Sequence, residues 1–358
     1  MSESASAPDT RAAESDEVYF SWTNQAILIA ALTVVSLLAI FGIRLLALRV
    51  TQYEVSVFET YARQALASKD FGRVVEICNG AMRAGVNRSD HHGLVYLLRA
   101  QGFAGEGDIT KALDDYDSAA LFSQESHYFM PEPARQELMA AATAAAEQRL
   151  KEGDAPGALR AFSDAAIGSG NPVDYLYTLK QHLSDEEQQS LWGEDKPWLV
   201  VRRFDNPAFG TLEPVVEEQG RSLLRSGVDQ GSGFLELSPS SAKGRSAYGD
   251  KLYLPVSEQP FSLRVVAKGE GGPMPQVLLG YWFEAARESA HTFDDTWTTG
   301  DDGWQACLIS RDFYRERLQH ATKNGYSMND GVISLVALEL APDSANKLWL
   351  DRVELVLP

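Results

Sequence analysis

The chain has 358 residues, of which 44 % are hydrophobic, an ordinary share for globular domains. Its 50 acidic and 32 basic side chains give a formal net charge of −18 at pH 7, which argues against nucleic acid as a partner because phosphate binding needs clustered lysine and arginine. Only two cysteines occur, Cys78 and Cys307; their separation argues against a disulfide, and they form no paired-cysteine zinc motif.

The N-terminal part divides into two segments. Residues 1–18 are rich in Ser, Ala and acidic side chains and lack apolar periodicity, which predicts a disordered acidic tail. Within 19–50, the run Ala26–Ile43 carries no charged residue and no Pro, and Trp22 precedes it. An apolar helix of about 20 residues spans the hydrocarbon layer, and aromatic rings favour the headgroup zone. We predict a single transmembrane helix; a buried core helix and a cleaved signal peptide are the alternatives.

Residues 51–192 are dominated by helix-forming residues and contain an internal repeat. The segments Lys69–Ala81, Gly107–Ala119 and Gly153–Ala165 align with one another. In each, a turn dipeptide is followed at fixed offsets by a small or apolar residue, a larger apolar residue and Ala. This spacing resembles the second helix of tetratricopeptide repeats, and the better two copies place in its packing positions Ala112, Tyr116, Ala119, Ala158, Phe162 and Ala165.

The resemblance implies an α-solenoid of stacked helix pairs whose concave surface binds a protein partner. The first copy, with Val74 and Cys78 at the packing positions, lacks the Gly-Asp turn of the other two. A generic array of helical hairpins is the alternative. The pair His91–His92 is better explained as a solvated loop than as a metal site, because adjacent helical residues point about 100° apart.

Residues 196–358 have a different composition, with strand-length apolar runs separated by Gly, Pro and Ser. This pattern predicts an antiparallel β-sandwich. Four of its pieces, taken in order, resemble the carbohydrate-binding jelly rolls of the galactose-binding-like type: Asn206–Phe209, Leu252–Gly271, Gly303–Ile309 and Asn346–Leu357. The sequence departs from that family at Ala208, where Gly is usual, and in a helical-looking insertion at Asp312–Lys323.

The jelly-roll resemblance implies a sugar-binding face on which aromatic rings stack on pyranose rings and acids or amides bond the hydroxyls. Our candidates are Tyr281, Trp282, Trp297, Asp294 and Asp295. Because neighbouring strand residues alternate faces, one member of the pair Tyr281 and Trp282 must point inward. A structural or protein-binding sandwich is the alternative.

The acid-rich stretch Phe293–Asp302 offers oxygen ligands of the kind that Ca²⁺ prefers, but it lacks the spacing of an EF-hand loop. We therefore interpret it as a solvated loop and predict no metal and no cofactor. In the resembled pattern Trp304 and Trp349 occupy core positions.

No catalytic signature occurs in the sequence: there is no GxSxG, phosphate-binding Gly-rich loop or HExxH motif. Nor does any pair of carboxylates stand out as the acid and base of a glycosidase. We therefore expect a multidomain α plus β protein without catalytic residues, a membrane-anchored scaffold of the bacterial envelope beside polysaccharide synthesis or export machinery. A purely protein-binding assembly factor and a glycan-active enzyme are the alternatives.

The side of the membrane is left open by two conflicting signals. Arg44, Arg49 and Arg63 follow the apolar run and place the globular part in the cytoplasm by the positive-inside rule. The jelly-roll resemblance favours the other side, because that kind of domain is common outside the cytoplasm. We expect a single-pass protein of the bacterial inner membrane, and lean to a periplasmic globular part.

Overall fold

The structure is a computed structural model that describes residues 22–84, 92–124, 130–203, 213–217, 223–229, 232–238, 246–255, 259–283, 288–294, 296–300, 303–310, 331–340 and 347–358. In parts of these ranges, including 44–56 and 281–283, the description covers the backbone alone. The expected tail at 1–18, the motif Asn206–Phe209, Asp295 and the insertion Asp312–Lys323 lie outside the described residues. The chain divides into two compact units, Met1–Glu54 and Val55–Pro358.

Helix α1 (Trp22–Ala67) begins in the first unit. Ten large apolar side chains that the structure describes between positions 27 and 43 are 55–67 % exposed: Ile27, Ile29, Leu32, Val34, Val35, Leu37, Leu38, Ile40, Phe41 and Ile43. Over the part of the chain that the structure describes, no helix has the length and apolarity that crossing a membrane requires. The span predicted over Ala26–Ile43 is therefore not supported.

The helices that follow belong to the second unit. They are α2 (Phe71–Arg83), α3 (His92–Glu106), α4 (Ile109–Gln124), α5 (Glu132–Lys151), α6 (Ala155–Gly168), α7 (Pro172–His182) and α8 (Asp185–Trp192). Short connections, of two residues after α3 and three after α5, force each of these helices to fold back on its successor, which gives the hairpins α3–α4 and α5–α6. Helix α4 also packs on α6, so the two hairpins stack.

The three aligned turn dipeptides adopt one backbone motif. Lys69, Gly107 and Gly153 have positive φ angles of 59°, 84° and 79°. At each turn the residue with positive φ donates its N–H to a carbonyl three residues back, and the following Asp donates to one five residues back, at 2.9–3.1 Å. This is the Schellman arrangement that ends a helix, and the Asp side chain then accepts from a backbone N–H of the next helix. The repeat in the sequence thus corresponds to a repeated helix stop and helix start.

The repeat positions form the core of the helical array. The six expected packing residues, Ala112, Tyr116, Ala119, Ala158, Phe162 and Ala165, are all at most 1 % exposed. In the first copy, Val74 and Cys78 are fully buried as well. Small residues at these positions let neighbouring helices approach, and the rings of Tyr116 and Phe162 fill the space between them. The likeness of this array to tetratricopeptide repeats remains a prediction.

The strands form two antiparallel sheets. They are β1 (Trp198–Arg203), β2 (Glu213–Glu217), β3 (Leu223–Asp229), β4 (Ser232–Ser238), β5 (Ser246–Pro255), β6 (Ser262–Glu270), β7 (Gln276–Phe283), β8 (Glu288–Asp294), β9 (Trp297–Thr299), β10 (Gln305–Ser310), β11 (Gly331–Leu340) and β12 (Lys347–Val356). Among the described strands one sheet has seven, in the order β3-β4-β12-β6-β10-β9 with β1 also paired to β12. The other has five, in the order β2-β5-β11-β7-β8.

The two sheets share one apolar core. Alternate residues of the seven-stranded sheet, such as Leu263, Val265 and Leu355, are fully buried, as are Val277 and Leu279 of the five-stranded sheet. All of these side chains belong to one packed cluster. The arrangement is the predicted antiparallel sandwich, in which one face of each sheet is turned to the other.

The helical array and the sandwich are joined by packing as well as by the chain. Helix α6 lies along β1, where Ser163 Oγ accepts a buried hydrogen bond of 3.1 Å from the N–H of Val200. Trp192 at the end of α8 donates its indole N–H to the carbonyl of Trp198, 3.0 Å away. The apolar cluster runs without a break through both parts. Within the second unit, helices and sandwich therefore stabilise each other.

Candidate functional site

A cavity of about 650 Å³ lies in the helical array and is lined by residues of α5, α6 and α7. Its apolar lining consists of Met139, Leu150, Phe162, Leu179 and Leu183. Its polar lining consists of Thr143, Glu147, Lys151, Ser169, Asn171, Asp174, Tyr175, Thr178, His182 and Glu187. A cavity of this size that combines apolar side chains with polar groups is the usual form of a binding site.

The cavity is a slot that follows the helix axes. Helix α5 lines it with residues three or four positions apart, from Met139 to Lys151, and α7 does the same from Asn171 to His182. Side chains at this spacing share one face of a helix. The stretch of α5 is about 18 Å long at 1.5 Å per residue.

One side-chain hydrogen bond links the walls of the slot. Thr143 Oγ1 on α5 and the hydroxyl of Tyr175 on α7 are 2.9 Å apart. Burial raises the pKa of Tyr175 to about 12; the hydrogen bond to Thr143 acts in the opposite direction, and the charge of Glu147 adds to the rise. The phenol is therefore neutral at physiological pH and holds α7 at a fixed distance from α5.

The rim of the slot carries more acid than base. Glu147, Asp174 and Glu187 face one lysine, Lys151, and His182. The carboxylate of Glu187 also accepts hydrogen bonds from the backbone N–H and the hydroxyl of Ser184 at 2.9 and 2.8 Å, and these bonds lower its pKa. The rim thus stays negative near neutral pH, which favours a cationic or basic ligand edge.

The strand register separates the predicted sugar-binding residues from one another. Tyr281 lies opposite Ile333 of β11, and Trp282 lies opposite Val332. Ile333 is fully buried in the sandwich core, so position 281 is on the core side of the sheet and position 282 on the outer side. Asp294 lies opposite Val277, about 17 Å along the strand from Trp282. The structure therefore does not bring Asp294 to Trp282.

Trp297 belongs to the other sheet, on its edge strand β9. Its indole N–H donates to the carbonyl of Pro275 at 2.8 Å, and its half-buried ring packs against the core. This side chain contributes to the structure of the edge. Its role in sugar binding stays a prediction.

A charged cluster that the sequence did not predict lies on the outer face of the seven-stranded sheet. It is formed by Arg264 of β6 and by Asp351, Arg352 and Glu354 of β12. A signal for it exists, because charged residues interrupt the apolar runs of both strands at positions expected to face outward. Nothing in the sequence, however, indicates that these two strands are neighbours. Over the described residues, no group of His, Cys, Asp and Glu side chains could hold a metal ion.

Comparisons with known proteins give structural matches only. No protein-family model and no curated protein match the chain. The solution structure of a family 11 carbohydrate-binding module of Clostridium thermocellum is 13 % identical, with 45 % of this chain and 95 % of that chain covered and a TM-score of 0.33. The CBM22-1 and GH10 modules of a C. thermocellum xylanase in complex with xylohexaose are 12 % identical, with 38 % and 24 % covered and a TM-score of 0.27.

Tailspike protein 4 of bacteriophage CBA120 is 11 % identical, with 44 % of this chain and 20 % of that chain covered and a TM-score of 0.29. The chain thus spans about a quarter of the matched xylanase structure and a fifth of the tailspike structure. Carbohydrate-binding modules are among the structural neighbours. The three TM-scores, 0.33, 0.27 and 0.29, all lie well below 0.5.

Proposed function

We propose that the protein is a non-catalytic scaffold whose sandwich binds a polysaccharide and whose helical array binds a protein segment. The proposed glycan binding is supported by the register of β7, in which position 282, a Trp, lies on the side of the five-stranded sheet that faces away from the core. An aromatic ring on an outer sheet face offers an apolar platform of the kind on which sugar rings stack. The jelly-roll resemblance of the sequence points to the same use.

The test is calorimetric titration of the full-length protein with a panel of soluble bacterial envelope polysaccharides. The full chain is needed because β1 loses its cover on α6 in a fragment that begins at residue 196. We expect one polymer class to bind, Trp282→Ala to abolish that binding, and Tyr281→Phe to leave it unchanged. Absence of heat with every polymer would contradict the proposed glycan binding and favour the purely protein-binding alternative.

The proposed protein binding is supported by the slot between α5 and α7. Its apolar floor and acidic rim suit an amphipathic helix that carries basic residues beside its apolar face. A photo-crosslinking amino acid in place of the exposed Thr178, which lines the slot, should capture one discrete partner. The same probe in place of the exposed Lys111, outside the slot, is the control. Identical products at both positions would contradict the proposed protein binding.

A glycan-active enzyme is the competing function for the sandwich. It predicts that the bound polymer is cut, with release of reducing ends, whereas a scaffold leaves the polymer intact. Size-exclusion analysis of the polymer after overnight incubation distinguishes the two.

Location at the bacterial inner membrane, with the globular part on the periplasmic side, is a further part of the proposal. Its support is the uncharged sequence Ala26–Ile43, whose large apolar side chains are exposed on α1. Membrane fractionation of the full-length chain, together with C-terminal alkaline phosphatase and cytoplasmic fluorescent fusions, tests it. Recovery in the soluble fraction without detergent would overturn membrane attachment.

A further inference from the structure

The charged cluster on the outer face of the seven-stranded sheet is organised by one buried carboxylate. Glu354 of β12 is 0 % exposed and lies directly opposite Arg264 of β6. One of its oxygens accepts from Nε of Arg264, and the other accepts from Nε of Arg352 at 2.6 Å. A buried carboxylate that binds two guanidinium groups through Nε fixes the plane of each and directs the terminal nitrogens elsewhere.

Arg264 is held on a second side by an aromatic ring. Its guanidinium carbon lies 5.6 Å from the centre of the Trp198 ring, a cation–π distance. The side chain is 26 % exposed. Among the residues that the structure describes, its two terminal nitrogens form no hydrogen bond. These nitrogens are a planar pair of donors with a fixed direction, and such a pair fits both oxygens of a carboxylate.

The same face carries a second cation beside a ring. Lys268 shares the strand and the face with Arg264, about 13 Å further along, and its ammonium lies 6.0 Å from the Trp304 ring. Trp304 is half-buried, although core burial was expected for it, and Leu308 on the neighbouring strand is 51 % exposed. The face thus has two cation-and-ring pairs in a line on a chain whose net charge is −18. A polysaccharide that carries carboxylates suits this face, because its negative charges can pair with the two cations and its sugar rings can stack on the two aromatic rings.

We propose that the outer face of the seven-stranded sheet binds an acidic polysaccharide, with Arg264 taking a uronate carboxylate between its two terminal nitrogens. This inference rests on the proposed glycan-binding function and gives it a second face and a substrate class. Glu354 and Trp198 act as positioning residues, since they orient Arg264. Arg352 lies beside the carboxylate site, and Lys268, about 13 Å further along the strand, contacts a more distant acidic unit of the same polymer.

The test measures binding of the full-length protein to polygalacturonate and to a neutral glucan of matched length. We expect polygalacturonate to bind at least 10-fold more tightly, with an affinity that falls as salt is raised. Arg264→Lys keeps a positive charge beside buried Glu354 but removes the planar pair of terminal donors, and it should weaken polygalacturonate binding about 10-fold. Circular dichroism at the binding temperature checks that the variant is folded. Arg73→Gln removes an exposed charge on α2 and should leave binding unchanged.

The outcomes separate this inference from the wider proposal. If neutral glucan binds as tightly as polygalacturonate, or if Arg264→Lys binds polygalacturonate like the parent protein, the carboxylate site is wrong while glycan binding stands. If Arg73→Gln weakens binding as much as Arg264→Lys does, the attraction is a general charge effect and the site is again wrong. If neither polymer nor any other glycan binds, the glycan-binding part of the proposed function fails together with this inference.

Discussion

The hydroxyl of Ser163 on α6 accepts a hydrogen bond from the backbone N–H of Val200 on β1, 3.1 Å away in a buried position. The same hydroxyl donates to the carbonyl of Leu159 at 2.8 Å, so both of its hydrogen-bonding roles are used. Strand β1 pairs with β12 along one edge, and at Val200 a helix side chain takes the place of a further strand. The helical array therefore completes the sandwich at this edge.

Replacing Ser163 with Ala should destabilise the whole second unit. The N–H of Val200 would stay buried without a partner, and such a loss costs about 1–3 kcal/mol. Urea denaturation should show a lower midpoint with an unchanged slope. Ser118→Ala is the matched control, because this serine also bonds a carbonyl one helical turn back but is not part of the junction. Equal stabilities of the two variants would show that the junction bond contributes little.

The turn at Lys69 offers a stabilising substitution. Lys69 has a positive φ of 59°, and among the described residues it is the only non-glycine with one. The left-handed conformation costs an L-residue with a Cβ roughly 1 kcal/mol relative to Gly. Lys69→Gly should therefore raise the free energy of unfolding by about 1 kcal/mol, measured by chemical denaturation.

The equivalent positions in the other two turns give the reverse test. A Cβ on Gly107 or Gly153 would meet no atom within 4 Å, so substitution there changes backbone strain alone. Gly107→Ala and Gly153→Ala should each lower stability by about 1 kcal/mol. A destabilised Lys69→Gly protein would mean that the lysine side chain makes a compensating contribution at the first turn.

The start of α8 should respond to acid through Glu187. Ser184 and Glu187 form a capping box, in which the Ser184 hydroxyl accepts from the Glu187 N–H and the Glu187 carboxylate accepts from the Ser184 N–H. The hydrogen bonds from Ser184 lower the pKa of Glu187 below the ordinary value of 4.5 for a glutamate. The stabilisation is thus fully present above pH 4.5 and is lost as pH falls through the lower, folded-state pKa. In Glu187→Gln the free energy of unfolding should therefore fall less steeply as pH drops below 4.5.

The measurement is the free energy of unfolding between pH 6 and pH 3 for the parent protein, Glu187→Gln and Glu186→Gln. Glu186 lies in the same first turn of α8 but outside the capping box, so its variant changes the same charge and keeps the box. If both variants show the same pH profile, the effect belongs to the general charge of the helix start and not to the box.

The sequence predicted the fold where the signal is local. The turn dipeptides carry their own backbone chemistry, as Gly107 and Gly153 show, and the buried positions follow at fixed offsets within one helix. The site could be predicted only in part, because it depends on partners that are distant in sequence. Arg264 and Glu354 meet only because β6 and β12 pair with a register that shifts once along the ladder. The slot depends on the separation of α5 from α7, for which no short motif exists.

The two cysteines can report whether the helical array and the sandwich unfold together. Cys78 lies in the array and Cys307 in β10, and both are fully buried thiols that are not joined in a disulfide. Burial raises the pKa of the Cys78 thiol to about 12, against a weaker opposing effect of Arg99, so little thiolate exists at neutral pH. In the native protein at pH 8, neither thiol should react with iodoacetamide within minutes.

Because one apolar core joins the two parts, labelling in a urea series should rise at the same midpoint for both cysteines, as read by peptide mass spectrometry. Ser163→Ala should move both midpoints down together, whereas Ser118→Ala should move neither. Labelling of Cys78 at a clearly lower urea concentration than Cys307 would mean that the helices open on their own, and the shared core would then not act as one cooperative unit.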